Sequence, residues 1–290
     1  MRIILAIIAI FIFSTQSHAA EELNIGLIPE QNVFKQMKKY EPLGKYIENK
    51  TGVKLNFIIL SRYGNIIDNF NSMNLDGAFW GSFTGAMAIK KLNIQPIARP
   101  VNPDGNSSYQ GYIFVHKDSR IDSVARMKNS VIAFVDKATT AGYIFPMAYF
   151  RENGVTNIDS YFKEHFFAGS HDAAIYAVLN KEATVGCAKN TIFDMLAKED
   201  PSVKNDLVIL AKSPFVPSNG LGIKSNIAIS VRNRLQAALL GMSKDPEGIA
   251  VLEKFGAREF ISTTKEDYQP VFDMINKAGI DLDTYNYRNK

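Results

Sequence analysis

The chain of 290 residues predicts an α/β protein built as two lobes. Three observations carry this. Short apolar runs alternate with helix-spaced stretches along residues 22–108, the pattern of strands joined by helical crossovers. The same alternation begins again over 112–212. A set of helix-like segments is then left over at the C-terminal end. Two such segments make a first lobe of 22–108 plus 220–290 and a second of 112–212. Crossings near 109–111 and 213–219 would form a hinge. Ligands of open α/β sheets bind beyond the carboxyl ends of the strands. Two lobes of this kind can face those ends across one cleft.

The first residues, MRIILAIIAIFIFSTQSHAA, stand apart from this pattern. Arg2 is a minimal basic start. Residues 3–13 are apolar but too short for a bilayer span of ~20 residues. Ser17-His18-Ala19 supplies small residues for cleavage, so 1–19 read as a signal peptide and the chain as periplasmic. The exported chain then holds a single cysteine, Cys187, so no intrachain disulfide supports it and a real core must. Without Arg2 the balance is 32 basic against 29 acidic residues. A surplus so small and dispersed gives no argument for nucleic acid, which is not expected as a partner, and is compatible with a small anion.

Taken in order, LNIGLI (23–28) is a strand that breaks at Pro29. Residues 35–52 are a helix closed by Gly52, and VKLNFIIL (53–60) is an alternating strand. Apolar residues at 63, 66, 67 and 70 have helical spacing. A short strand (LDGAFWG), a small-residue helix (FTGAMAIKKLN) and a strand (IQPIARPV) complete the first run, read as a mostly parallel sheet. In the second run YQGYIFVHKD is a strand, SVARMKNS a short helix and VIAFV (131–135) a strand. FKEHFFAGSHDAAIYAVLNKEATVGCA is strand, turn, helix and strand. DLVILAKSPFVPSNG ends in a proline-rich turn. VRNRLQAALLGM, EGIAVLEKFG and YQPVFDMINKAG are surface helices.

Between VIAFV and the helix of GYIFPMAYF sit Thr139, Thr140, Ala141 and Gly142. Two readings stand. A threonine hydroxyl there is an N-cap, worth about 1 kcal/mol. Alternatively the free amides and the positive helix end receive an anion, with the hydroxyls as added donors. GSHDAAIYAV repeats the situation, with His171 at a second helix start in the same lobe. Tyr63 stands at a strand-to-helix turn of the first lobe. Trp80 ends a strand as cleft wall or core. Tyr109 lies in the first crossing. The patterns G-x-S-x-G, H-E-x-x-H, G-x-G-x-x-G and the P-loop are absent, and His116, His165 and His171 are scattered. No catalysis, metal or cofactor is expected.

The segments YGNIIDNFNSMNLDGAFWG, YIFVHKDSRIDSVARMKNSVIAFVDKATTAGYIFP, GSHDAAIYAVLNKEATVG and AKSPFVPSN resemble the phosphonate-binding proteins of ABC transporters, over essentially the whole exported chain. The resemblance implies a type II periplasmic binding protein that captures a small phosphorus oxyanion (phosphonate, phosphite or phosphate) by hinge closure. It implies as site residues Tyr63, Tyr109, Thr139, Thr140, Ala141 and His171, with Ala141 keeping only its backbone donor. Neutralisation is expected from helix ends and hydroxyls without a full positive charge, which His171 would add only when protonated. Relatives that take aminoalkyl phosphonates carry carboxylates where Thr191 and Asn219 stand here, so an ammonium group would lack its counter-charge. The expected partners are the ligand and a membrane permease, the protein itself being a monomer. The alternative is a sensory module of the same fold that signals to a membrane histidine kinase.

Overall fold

The computed structural model describes residues 21–30 and 32–289. The expected signal peptide lies outside the described residues. Among the described residues no helix is long and apolar enough to cross a membrane.

The elements in chain order are β1 (Glu21–Leu27), α1 (Val33–Thr51), β2 (Val53–Ile59), α2 (Asn65–Asp68), β3 (Gly77–Trp80), α3 (Ser82–Leu92), β4 (Ile94–Val101), β5 (Ser108–Tyr109), β6 (Gly111–His116) and β7 (Val131–Phe134). A π-helical turn, Thr140–Ile144, leads into α4 (Phe145–Glu152). Then follow α5 (Ile158–Tyr161), β8 (Glu164–Phe167), α6 (His171–Leu179), β9 (Val185–Lys189), α7 (Asn190–Glu199), α8 (Pro201–Asp206) and β10 (Leu207–Lys212). The chain closes with β11 (Val216–Pro217), β12 (Gly220–Lys224), α9 (Ile229–Gly241), α10 (Pro246–Phe255), β13 (Glu259–Ser262) and α11 (Gln269–Lys277).

Local sequence accounts for much of this. The Asn32 side chain accepts from the Phe34 amide at 3.0 Å and so caps α1. Gly52 takes the left-handed conformation that stops it, at φ 72°. The helical spacing at 63–70 yields only one turn, α2. It is closed down by the polar turn-formers Asn69, Asn71, Ser72 and Asn74.

The strands form two large sheets. One has the order β13-β4-β12-β3-β1-β2, the other β10-β6-β9-β7-β8. Neither is mostly parallel. β1 pairs parallel with β2 and β3, but β12 runs antiparallel between β3 and β4, and β13 antiparallel along β4. In the second sheet β7 pairs parallel with β8 and β9, while β6 is antiparallel to both β9 and β10. The reason is that the chain leaves the first sheet, builds the second, and returns. The returning strand enters from the other direction.

The two stretches that join the sheets pair with each other. β5 and β11 form an antiparallel ribbon, Val216 opposite Tyr109. Beneath the first sheet α1, α9 and α10 bury Leu43, Ile47, Leu235 and Phe255. The second sheet buries Phe114, Ile175, Phe193 and Val203 against α6, α7 and α8. Each such side chain is worth roughly 1.5–3 kcal/mol removed from water. A third apolar cluster reaches from Trp80 and Phe83 to Phe134 and Ile144, so it touches both sheets.

The C-terminal segment is not confined to the first sheet. α11 packs on α3 and also on α4. Lys277 pairs with Glu152 at 3.0 Å. Beyond it the Tyr285 hydroxyl donates to Lys137 O at 2.9 Å, and Asn289 Nδ2 to Asp136 Oδ2 at 2.9 Å. The tail therefore braces the loop that opens the Thr139-Thr140 turn.

Candidate functional site

Three helix starts from two sheets converge on one enclosed space. α3 begins at Ser82 after Gly81, at the carboxyl end of β3. The turn at Thr139 and Thr140 follows β7, and α6 begins at His171 after β8. The space is lined by residues of all three starts and by Tyr63, Tyr109, Lys189, Asn219 and Glu30. It encloses about 10 Å³, room for little more than one water position.

The Thr139-Thr140 turn does not cap itself. Thr139 is the N-cap by position but makes no cap bond. Its hydroxyl instead donates to Asp136 O at 2.7 Å. The first bonded amide of the turn is that of Ile144, to Thr139 O at 3.0 Å, so the amides before it open the helix towards the space. Asp136 holds the preceding loop by accepting from the Ala138 amide at 2.7 Å. Gly142 is needed because a side chain there would collide with Val135. Thr140 Oγ1 is buried and has no partner among the described residues, and the same holds for the Tyr63 hydroxyl. Both line the space. An unsatisfied buried hydroxyl costs about 1–3 kcal/mol, and such groups are few in folded proteins. Two such hydroxyls at one pocket can each donate to an acceptor oxygen placed there.

At the second helix start the serine does cap. Ser170 Oγ accepts from the Ala173 amide at 3.4 Å. His171 is buried and faces the space, with Tyr63 edge-on at 6.0 Å between ring centroids. Its Nδ1 accepts from the Lys189 amide at 3.2 Å, which leaves Nε2–H as the ring's donor. Burial, with the Lys189 charge beside it, pushes its pKa down to about 3. His171 is therefore a neutral donor here, the alternative that the sequence leaves open beside a protonated ring.

The full charge comes from Lys189, the last residue of β9. Its side chain is 9% exposed and pairs with Glu30 at 2.8 Å, itself 15% exposed. Nζ also donates to Asn219 Oδ1 at 3.3 Å and lies 4.4 Å over the Tyr109 ring. Burial alone would raise the Glu30 carboxyl, but the Lys189 and Lys39 charges outweigh it and hold it below the usual range. Ser82 Oγ hydrogen-bonds the Tyr109 hydroxyl at 2.9 Å and the Pro217 carbonyl at 2.7 Å, and so ties the ribbon to α3.

Of the expected site residues, Tyr63, Tyr109, Thr139, Thr140, His171 and Asn219 meet at this space. Trp80 does not: it is core, 1% exposed, its indole N–H donates to Gly222 O at 2.9 Å, and Phe70 packs on its ring. The Ala141 methyl packs on Gly111, while its amide, the donor expected of it, is among those that precede Ile144 in the open turn. Thr191 lines a larger neighbouring cavity instead. Sequence reasoning missed Glu30, Ser82 and Lys189. Lys189 had a legible signal. It ends the buried run VGCAK at a strand's carboxyl end, where a lysine needs a reason to be.

The low pKa of His171 has a consequence for stability. Between pH 6.5 and about 3 the unfolded chain binds a proton at this ring that the folded one refuses. Stability is therefore lost as pH falls through that window. His171→Asn is expected to shallow the fall in melting temperature between pH 6.5 and 4.5. Parallel melting curves for the two proteins would show that another group carries the acid sensitivity.

Two α/β sheets joined by a ribbon, with a buried polar site between them, define a type II periplasmic binding protein. Among solved structures, a binding-protein component of an ABC phosphonate transporter from Pseudomonas aeruginosa superposes with a TM-score of 0.81 at 23% identity, covering 89% of this chain and 87% of its own. A Prochlorococcus marinus protein solved in complex with methylphosphonate gives 0.79 at 21% identity, covering 90% and 99%. In sequence, the phosphonates-binding periplasmic protein of Escherichia coli is 28% identical over 278 residues, 92% of this chain and 81% of that one. Residues 25–268 match the family described as ABC transporter, phosphonate, periplasmic substrate-binding protein, and the chain belongs to that family.

Proposed function

We propose that this chain captures a small tetrahedral phosphorus oxyanion in the periplasm, after removal of residues 1–19, and passes it to the permease of an ABC importer without chemical change. The observation that carries the reading is the pocket itself. Three helix starts, two unpartnered buried hydroxyls, the His171 donor and the Lys189 cation face one enclosed space. Helix amides and hydroxyls match the oxygens of such an anion. The names of similar proteins support it: one from E. coli binds phosphonates, and one from Mycolicibacterium smegmatis, 28% identical over 219 residues, imports phosphate.

A space of about 10 Å³ admits a ligand only when the walls part. Lobes of 22–108 plus 220–290 and of 112–212 swing about the paired crossings, 109–111 and 213–219. The Glu30–Lys189 pair and the Lys35–Glu199 pair, 3.3 Å, join the two sides when the cleft is shut. Binding to the shut form alone shifts the population towards it.

Titration calorimetry tests the reading. Phosphite, phosphate or methylphosphonate is expected to bind, with a smaller radius of gyration by small-angle scattering at saturation. 2-Aminoethylphosphonate is expected to bind worse than all three, because Glu30, the carboxylate on that wall, is already paired with Lys189 and Asn219 beside it is uncharged. Asn219→Asp is expected to recover part of that loss. Preference of the wild type for the aminated ligand would overturn the assignment of the pocket's charge.

A further inference from the structure

Behind the oxyanion pocket lies a second cavity of about 590 Å³, and the two share Glu30, Lys189 and Asn219 as a common wall. A group attached to the phosphorus points away from the helix starts that hold the oxygens. It therefore leads towards this wall and the cavity behind it. Three charged groups meet there. Lys189 and Glu30 are paired at 2.8 Å. Lys39, on α1, lines the larger cavity with them and lies 4.7 Å over the Phe255 ring. No carboxylate stands within ion-pair distance of Lys39 among the described residues, so a half-buried ammonium is held on an aromatic face. Burial lowers its pKa, against the attraction of Glu30. Two lysines and one glutamate leave the junction one positive charge in surplus. The other charges of the cavity are Asp104, Asp194 and Lys198. All three are exposed, and Asp194 interacts with both Asp104 and Lys198, so they form a separate group on the solvent side.

We propose that the larger cavity is a subsite for a ligand substituent that ends in a second acidic group, with Lys39 as its counter-charge. The ligand class is then a phosphonate carrying a carboxylate, or a second phosphoryl group, on a short carbon linker. This rests on the oxyanion reading of the smaller pocket. The unpaired ammonium favours an anion for the same reason it repels a cation, since in a partly desolvated site the missing counter-charge is what the lysine lacks. The volume far exceeds what an unsubstituted oxyanion needs, and its inner wall, with Tyr40, Pro100, Ile192 and Phe255, suits a short carbon chain.

Calorimetry with paired ligands tests it. 3-Phosphonopropionate is expected to bind about tenfold tighter than propylphosphonate, which has a matching chain and no carboxylate. In Lys39→Met that advantage is expected to vanish while methylphosphonate binds as to the wild type. Lys39 is half-buried on a helix surface, and methylphosphonate affinity serves as the check on folding. Equal affinities for the paired ligands in the wild type would overturn the subsite. So would a Lys39→Met variant that keeps the advantage, or one that weakens all three ligands alike. If no phosphorus compound binds the wild type, the oxyanion reading itself has failed, and the subsite with it. Methylphosphonate binding separates the two failures.

Discussion

Lys189→Met is expected to be the most damaging single change in the site, costing about 3–5 kcal/mol of stability. That is the usual range when one partner of a buried ion pair is removed. Glu30 would be left desolvated, with Lys39 as its one remaining cation nearby. Its carboxylate would then have to stay charged at high cost or take up a proton. Glu30→Gln in the same chain removes the stranded charge, so the double variant is expected to regain most of the lost stability. It is not expected to regain ligand affinity, because the cation beside the oxyanion pocket is still gone. Urea unfolding reads the first effect and calorimetry the second. A single variant as stable as the wild type would show that the pair is solvated and that Glu30 has no need of Lys189.

Thr140→Val and His171→Ala are each expected to weaken oxyanion binding by ten- to a hundredfold. A hydrogen bond to a charged group contributes ~1.5–3 kcal/mol. The two changes differ in their cost to the fold. Thr140 Oγ1 has no partner among the described residues, so valine removes an unsatisfied group and keeps the shape; the ligand-free protein is expected to be as stable or slightly more so. His171 accepts from the Lys189 amide, so alanine strands that amide and opens a cavity as well. Its affinity loss should therefore come with a lowered melting temperature. If Thr140→Val binds the oxyanion as the wild type does, the hydroxyl faces no ligand oxygen and the turn is structural.

The site was legible in part, and the division follows the kind of signal. Thr139, Thr140 and His171 stand in the local pattern of strand, small polar turn and helix, which a chain displays without reference to anything distant. Tyr63 and Tyr109 were legible at a turn and a crossing, and the resemblance gave them a ligand role and added the place of Asn219. The role of each hydroxyl was not local. Thr139 spends its proton on Asp136 O, while the Thr140 hydroxyl, one residue on, finds no partner among the described residues. Adjacent threonines read alike in a sequence, and only the path of the loop, braced by Tyr285 and Asn289 from the other end of the chain, separates them.

The same distinction runs through the fold. Alternating apolar periods, Asn32 as a cap and Gly52 as a stop determined where α1 and the first strands lie, because these depend on neighbours within a few residues. The returning strand β12 and the edge strand β13 carry no such mark. GLGIK and EFIS are strands because β3 and β4 offer them open edges. Trp80 ends a strand where a cleft wall or a core residue would read the same, and the carbonyl of Gly222 on β12 decided for the core. Most of all, the sequence shows a lysine at 189 and a glutamate at 30, 159 positions apart. That they make one buried pair, and that Lys39 has no carboxylate partner among the described residues, follows from how two lobes meet. An ion pair between distant segments leaves no periodic trace in either.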